Sequence, residues 1–286
     1  RLELPKGDDK YNKAAEILND WLEKGILVKE DKPAIYIYEE EFTAYGERKA
    51  IKGIICRVKL EEFSKGIILP HEFTLSKAKE DRLNLMKATN CNFSQIYSLY
   101  MDGGKNTLGK IDSLSKSEPD IQLQDNDNVT HRMWIIKDEK AIADICSDFT
   151  DRKLYIADGH HRYETALNYR NYLREQGLAK EGDACDYQMM MLVDMEHPGL
   201  VVFPTHRLVR NLDSFNAERV IDGCKEYFDV TEHSDINTIE STLMELYNQG
   251  KKAYAFYCGG SSYKLLVLKD TNIIKKLLPN ASTATQ

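Results

Sequence analysis

At 286 residues and 42% hydrophobic content, the chain is long enough to bury one large core or two modest ones. A net charge of −7 and a pI near 5.6 argue against a protein that coats nucleic acid. No apolar run approaches a membrane span and no secretory leader is visible, while six cysteines are scattered without a C-x-x-C pair. Buried thiols in a reducing, cytoplasmic setting are therefore expected, rather than a disulfide frame or a metal knuckle.

The chain begins at Arg1, and Arg1-Leu2-Glu3-Leu4-Pro5 has the character of a strand already in progress, so a preceding segment is expected. Ala14, Ile17, Leu18, Trp21 and Leu22 fall at helical spacing and Gly25 ends them. Residues 34–38, 41–45 and 50–60 alternate and carry β-branched and aromatic side chains, which predicts a meander with a turn near Gly46-Glu47. In the last of these, Ile54, Cys56, Val58 and Leu60 share one face while Ile51 and Ile55 take the other, as in a central strand.

A Leu69-Pro70-His71-Glu72 loop then leads into a predicted helix over 76–89, whose Lys77, Lys79, Arg82 and Lys87 give it a basic face. Glu72 sits near the N-terminal end of that helix, where the dipole favours an ionised carboxylate and thus a proton acceptor; a plain helix-cap carboxylate fits the same position. From Gly103 to Thr130 the sequence is polar and rich in turn residues, which predicts a mobile excursion or lid. A strand over 129–136 carries an adjacent His131-Arg132 pair, and Ala141, Ile142, Ile145, Cys146 and Phe149 mark a packing helix.

The most concentrated chemistry follows. Leu154 to Ala157 has the length and bulk of a buried strand, and Tyr163, Ala166, Leu167, Arg170 and Leu173 then fall at helical spacing up to Gly177. The turn between them is Asp158-Gly159-His160-His161-Arg162, which places one glycine, two histidines and an arginine beside the amide N–H groups of a first helical turn. That combination suits a phosphate: the glycine admits close backbone approach, the arginine offers a planar fork and each histidine can donate. Asp158 would repel a phosphate unless Mg²⁺ lies between them or the carboxylate orients a polar group of a substrate. The same residues also fit a plain cap, with Asp158 as the N-cap and the histidines as surface polar groups. A zinc reading through His160, His161 and Glu164 lacks H-E-x-x-H or a third spaced ligand.

Residues 187–195 and 200–203 predict two further strands, the second running into Pro204-Thr205-His206-Arg207. Three His-Arg pairs at or in strands, in a chain with seven histidines, suggest convergence on one anionic ligand. Beyond Arg210, helical patterns over 215–228 and 236–247 and a hairpin of 253–257 with 263–268 predict a smaller α/β unit.

Pro70-His71-Glu72, the helix after it and Ala157-Asp158-Gly159-His160-His161-Arg162-Tyr163 resemble the large bacterial family called domain of unknown function 1015 over nearly the whole chain. Arg1 to Pro5, Asp81-Arg82-Leu83, Tyr155 to Leu167 and Val202 to Arg207 are also family-like. More distantly, the Asp-Gly-His-His-Arg turn resembles the nucleotide-phosphate motif of the ParB and sulfiredoxin superfamily, and is similar to that of archaeal ADP-dependent free-serine kinases, which also carry a Pro-His-Glu loop. That resemblance implies Glu72 as catalytic base, Gly159, His160, His161 and Arg162 as phosphate ligands, and Asp158 as a substrate or Mg²⁺ ligand, with ADP or ATP as the nucleotide. It does not imply sulfiredoxin activity, because the reactive cysteine position is His160 here, nor DNA sliding, given the acidic charge and no helix-turn-helix pattern.

The expectation is thus an α+β fold: a mixed sheet with a ParB/sulfiredoxin-like nucleotide-binding core over 1–210, a mobile insertion over 103–130, and a smaller α/β unit over 211–286. The expected activity is nucleotide-dependent phosphoryl transfer to a small hydroxyl metabolite such as free serine. Nucleotide and small-molecule substrate are the expected partners, without nucleic acid or membrane. The alternative is a non-catalytic nucleotide-binding regulator. His71, Arg82, His131, Arg132, Thr205, His206 and Arg207 are candidates to complete the pocket.

Overall fold

Tyr45 and Gly46 both take positive φ, 53° and 77°, while Ala44 pairs with Glu47. This is the tight turn whose twist suits a two-residue hairpin, and it joins β1 (Ile35–Ala44) to β2 (Glu47–Lys59). The first two strands of the predicted meander are therefore one continuous strand. The computed structural model describes residue 7 and residues 9–72, 76–203, 206–277 and 279. The chain divides into two compact units, residues 1–203 and 204–286.

In the first unit, β1 and β2 join β3 (Ile68–Leu69), β4 (Ile96–Tyr100), β5 (Ile121–Gln124), β6 (Thr130–Ile136), β7 (Leu154–Asp158) and β8 (Tyr187–Asp194) in one mixed sheet. The order is β3-β7-β4-β8-β2-β1-β6-β5. The β3–β7 and β4–β8 pairs are parallel and the rest antiparallel. β2 is interior, as its two apolar faces require. Its Ile54 packs with Ile37, Ile111, Trp134 and Ile145, whereas its Ile51 packs with Met191 and Val193 on the opposite face.

Helices α1 (Lys10–Glu23), α2 (Ser76–Thr89), α3 (Thr107–Leu114), α4 (Glu139–Asp148) and α5 (His160–Glu175) complete this unit. α5 lays Tyr163, Ala166 and Leu167 on Ile68, Ile96, Ile156 and Met190, while α3 and α4 seal the other end of the same face through Ile111 and Ile145. With helices on one face of a largely antiparallel sheet, the fold is α+β.

Two expectations need correction here. Residues 103–130 are not a structureless loop: they hold α3 and β5, and Thr107 and Ile111 are fully buried, while β5 is exposed along its length. Thr107 belongs to a buried network. Thr107 Oγ1 donates to Asp148 at 2.7 Å and accepts from Arg152 at 2.8 Å, and Arg152 reaches Asp102 at 2.9 Å. Residues 200–203 form no strand. They follow Gly199, where an added Cβ would lie 1.7 Å from the Ala50 carbonyl oxygen, so the chain crosses β2 too closely to pair as a ladder. Leu200 covers Ile51 and Val193 there.

The second unit is a three-stranded antiparallel sheet, order β10-β11-β9, of β9 (Phe228–His233), β10 (Ala253–Phe256) and β11 (Tyr263–Leu268). It carries α6 (Ala217–Cys224), α7 (Ile239–Asn248) and the short α8 (Ile273–Leu277), around buried Ile221, Tyr263, Leu265 and Leu266. The hairpin matches the predicted one, but the helical pattern over 215–228 stops at Cys224 and β9 follows. All six cysteines are free thiols, but Cys146 and Cys258 are exposed and the other four half-buried rather than buried. Among the described residues no helix is long and apolar enough to cross a membrane.

Candidate functional site

Two strands running side by side in the same direction deliver their C-terminal ends to one place. β3 pairs in parallel with β7, Ile68 opposite Leu154 and Leu69 opposite Tyr155. The chain leaves β3 as Pro70-His71-Glu72 and leaves β7 as Gly159-His160, so two motifs far apart in sequence meet at one sheet edge. Such carboxyl ends are where open α/β sheets place ligands. β4 runs antiparallel to β7, so its approach, Ser94-Gln95, arrives at the same edge.

Gly159 itself is the N-cap of α5, at φ 103°, and has no side-chain hydrogen bond to the helix. Asp158 is therefore not the cap that the sequence also allowed. Gly159 has no side chain with which to cap α5, and the positive end of the helix dipole lies at this turn. An added Cβ at Gly159 would lie 3.0 Å from Arg162 Nε, so both backbone conformation and space call for glycine.

His160 is 2% exposed. Its Nε2 accepts from the backbone N–H of His71 at 3.1 Å, and the two rings meet edge to face at 4.5 Å. That acceptor role assigns the ring proton to Nδ1, which faces Glu72 Oε2 at 3.6 Å. Burial first, then the neighbouring His71, holds the imidazole below its ordinary range, with Glu72 and Asp158 opposing. His160 is thus neutral at physiological pH, its Nε2 engaged within the protein. The expected phosphate donor is a clasp between the Pro-His-Glu loop and α5.

Arg162 is likewise engaged. Its guanidinium pairs with Asp158, donates to the Gln95 carbonyl and reaches Ser94 Oγ at 3.2 Å. The fork expected to grip phosphate instead orients Asp158, whose side chain is 75% exposed, and ties α5 to the strand approach. Glu72, at 62%, and His71, at 49%, also face solvent. His161 is half-buried in the same turn, and its carbonyl accepts from Thr165 Oγ1 at 2.6 Å. Behind the turn, the Tyr163 hydroxyl bridges the backbone N–H and carbonyl of Glu61 at 2.9 and 2.7 Å, and Lys79 of α2 binds Glu164 at 2.6 Å.

The other predicted pocket residues are distributed differently. Arg82 is exposed on α2. His131 and Arg132 do not converge with the turn, because β4, β8, β2 and β1 lie between β7 and β6. Five strand spacings separate them by roughly 24 Å. They also have local partners: Arg132 binds Glu39 and Glu41 at 2.7 and 2.9 Å, and His131 lies 2.7 Å from the Tyr38 hydroxyl and 3.1 Å from Asp125. His206 and Arg207 are exposed at the start of the second unit, and Thr205 lies outside the described residues. Sequence reading missed Ser94 and Gln95, whose only signal is their place just before the alternating Ile96-Tyr97-Ser98-Leu99-Tyr100 strand.

Asp158 and Glu72 offer exposed carboxylates, and no three His, Cys, Asp or Glu side chains among the described residues are grouped to hold a metal by themselves. No curated protein and no solved structure gives a significant match to the chain. Residues 1–283 do match the family described as Protein of unknown function (DUF1015), and the chain belongs to that family.

Proposed function

We propose that the protein is a nucleotide-dependent phosphotransferase of the kinase type, acting on a small hydroxyl metabolite for which free serine is the first candidate. One observation carries the reading: an exposed carboxylate, Glu72, stands 3.6 Å from His160 at the N-terminus of α5. Base and anion site are then adjacent, as transfer of a phosphoryl group to a hydroxyl requires.

In this reading the amide N–H groups of the α5 first turn hold phosphate oxygens. Glu72 accepts the proton of the acceptor hydroxyl. His160 fixes the Pro-His-Glu loop against the helix, so that the base does not drift from the phosphate. Arg162 orients Asp158. Asp158, together with phosphate oxygens, would hold Mg²⁺, which supplies neutralisation of phosphate charge. The test is phosphoryl transfer from ADP or ATP with Mg²⁺ to serine and other small hydroxyl compounds. Glu72→Gln is expected to abolish turnover while retaining nucleotide binding; unchanged turnover would refute the assignment.

A specific observation supports a second reading. Arg162 is already satisfied by Asp158 and Gln95, so an arriving phosphate that recruits it must release the 94–95 segment. That exchange is how a nucleotide-gated regulator would signal. Nucleotide binding without transfer to any acceptor, with affinity insensitive to Glu72→Gln, would favour it.

A further inference from the structure

A notch of about 360 Å³ opens beside α5, with Met86, Ala166, Leu173 and Met189 among its apolar walls. It exists because the strands begin unevenly. β4 joins β8 only from Ile96, opposite Met190, so over Tyr187–Met189 the edge of β8 has no neighbouring strand on that side among the described residues. A strand edge of that kind presents backbone N–H and C=O groups that demand partners.

The rim adds three further groups. Asn90 accepts the Tyr169 hydroxyl on Oδ1, which leaves its amide NH2 to donate. The Asn92 side chain makes no hydrogen bond among the described residues, and both amides are solvent-exposed. Arg57 is stacked 5.3 Å from the Tyr187 ring centroid and has no acidic partner among the described residues. A peptide edge, two amides and a stacked guanidinium around an apolar slot make the set that recognises a flat heteroaromatic ring with a hydrogen-bonding edge. The volume lies in the range of small-ligand pockets.

Its position ties it to the turn. Residues 90–95 run beside α5, with Asn90 on Tyr169 and Ser94 and Gln95 on Arg162. Ala166 lies six residues from His160, a rise of about 9 Å along the helix. That span is comparable with the reach of a ribose and two phosphates.

We propose that this notch is the base-binding subsite of a nucleotide whose phosphates lie at the N-terminus of α5. The inference rests on the phosphate reading above and extends it: the base reads the β8 edge, Asn92 and the Asn90 amide, and stacks on Arg57. The two halves are separable with two probes. Ligand-observed saturation-transfer NMR with adenosine, guanosine and cytidine reports the notch, and calorimetry with pyrophosphate and Mg²⁺ reports the turn.

At least one nucleoside is expected to receive saturation through its base protons. The exposed double variant Arg57→Ala/Asn92→Ala should weaken that nucleoside about tenfold, the loss that follows removal of a stacking partner, while leaving pyrophosphate binding unchanged. Pyrophosphate binding without any nucleoside signal, or a nucleoside signal undiminished in the double variant, overturns the subsite and leaves the phosphate reading standing. A variant-sensitive nucleoside signal without pyrophosphate binding keeps the notch as a base site and overturns the phosphate reading. Failure of both probes overturns both.

Discussion

The backbone N–H of His71 donates to Nε2 of buried His160 across 3.1 Å, and this one bond joins the Pro-His-Glu loop to the helix that begins the second motif. Replacing His160 with alanine removes the acceptor and leaves a small void. The expected loss is about 2–4 kcal/mol, the sum of an unpaired N–H and a lost buried side chain. Urea denaturation measures it; a loss under about half a kcal/mol would mean the bond contributes nothing.

Gly159→Ala tests the turn rather than the clasp. A Cβ there must accept φ near 103° and push on the Arg162 guanidinium 3.0 Å away. Strain of about 1–2 kcal/mol is expected, and displacement of Arg162 should weaken any phosphate-bearing ligand at the turn. Equal stability in wild type and variant would show that the turn relaxes freely.

Gly199→Ala is expected to be the more damaging glycine substitution. Its Cβ would fall 1.7 Å from the Ala50 carbonyl oxygen in an interior strand, so Leu200 must lift from Ile51 and Val193. Overpacking of this kind costs about 1–3 kcal/mol or more. Thermal unfolding should show a lower Tm than for Gly159→Ala; the reverse order would be inconsistent with the close crossing.

Acid should destabilise the fold in a defined window. Burial holds both His160 and His197 below the ordinary imidazole range. Backbone N–H groups of Lys52 and Gly199 face the two ring nitrogens of His197, at 3.3 and 3.0 Å; the neutral ring can accept from only one of them, and protonation would remove that acceptor. Native imidazoles that resist protonation contribute stability that is complete above the unfolded value, near 6.5, and is lost as pH falls through the depressed native values. Tm should therefore decline below about pH 6.5, and less steeply in His197→Gln. Identical slopes would exclude His197 as a source.

His131 and Arg132 supply the contrast. With four strands between them and the turn, Arg132→Ala should leave nucleotide affinity within about twofold, a change of about 0.4 kcal/mol, whereas Arg162→Ala should not. Equal effects in direct binding measurements would contradict the proposed placement of the nucleotide at the turn.

Elements with local signatures were legible in the sequence. The helix over 160–175 and the strand before it announce themselves by period and by Gly159, and β2 shows two apolar faces because both are in fact covered. What the sequence hid was set by distant partners. The segment 103–130 looked like a lid because a polar residue such as Thr107 carries no sign that Arg152 and Asp148 will satisfy it inside. Three His-Arg pairs looked convergent, yet strand order, which no local pattern encodes, sends His131 and Arg132 across the sheet. His160 and Arg162 were recognised by type but not by direction: their polar atoms turn toward His71, Asp158 and Gln95.

The pairing of Ile68 with Leu154 and Leu69 with Tyr155 also has a kinetic meaning. Its two partners lie far apart in the chain and its ladder is only these two registers long, so closing it requires a large loop for little local gain. The edge that unites Glu72 with the Asp158 turn is then expected to be among the last pieces to consolidate and among the first to open. Amide exchange at Leu154, whose N–H is held by the Ile67 carbonyl at 2.9 Å, would report that event residue by residue. A nascent or partly opened chain has both motifs but not their meeting, so ligand competence would itself serve as proof of completed folding.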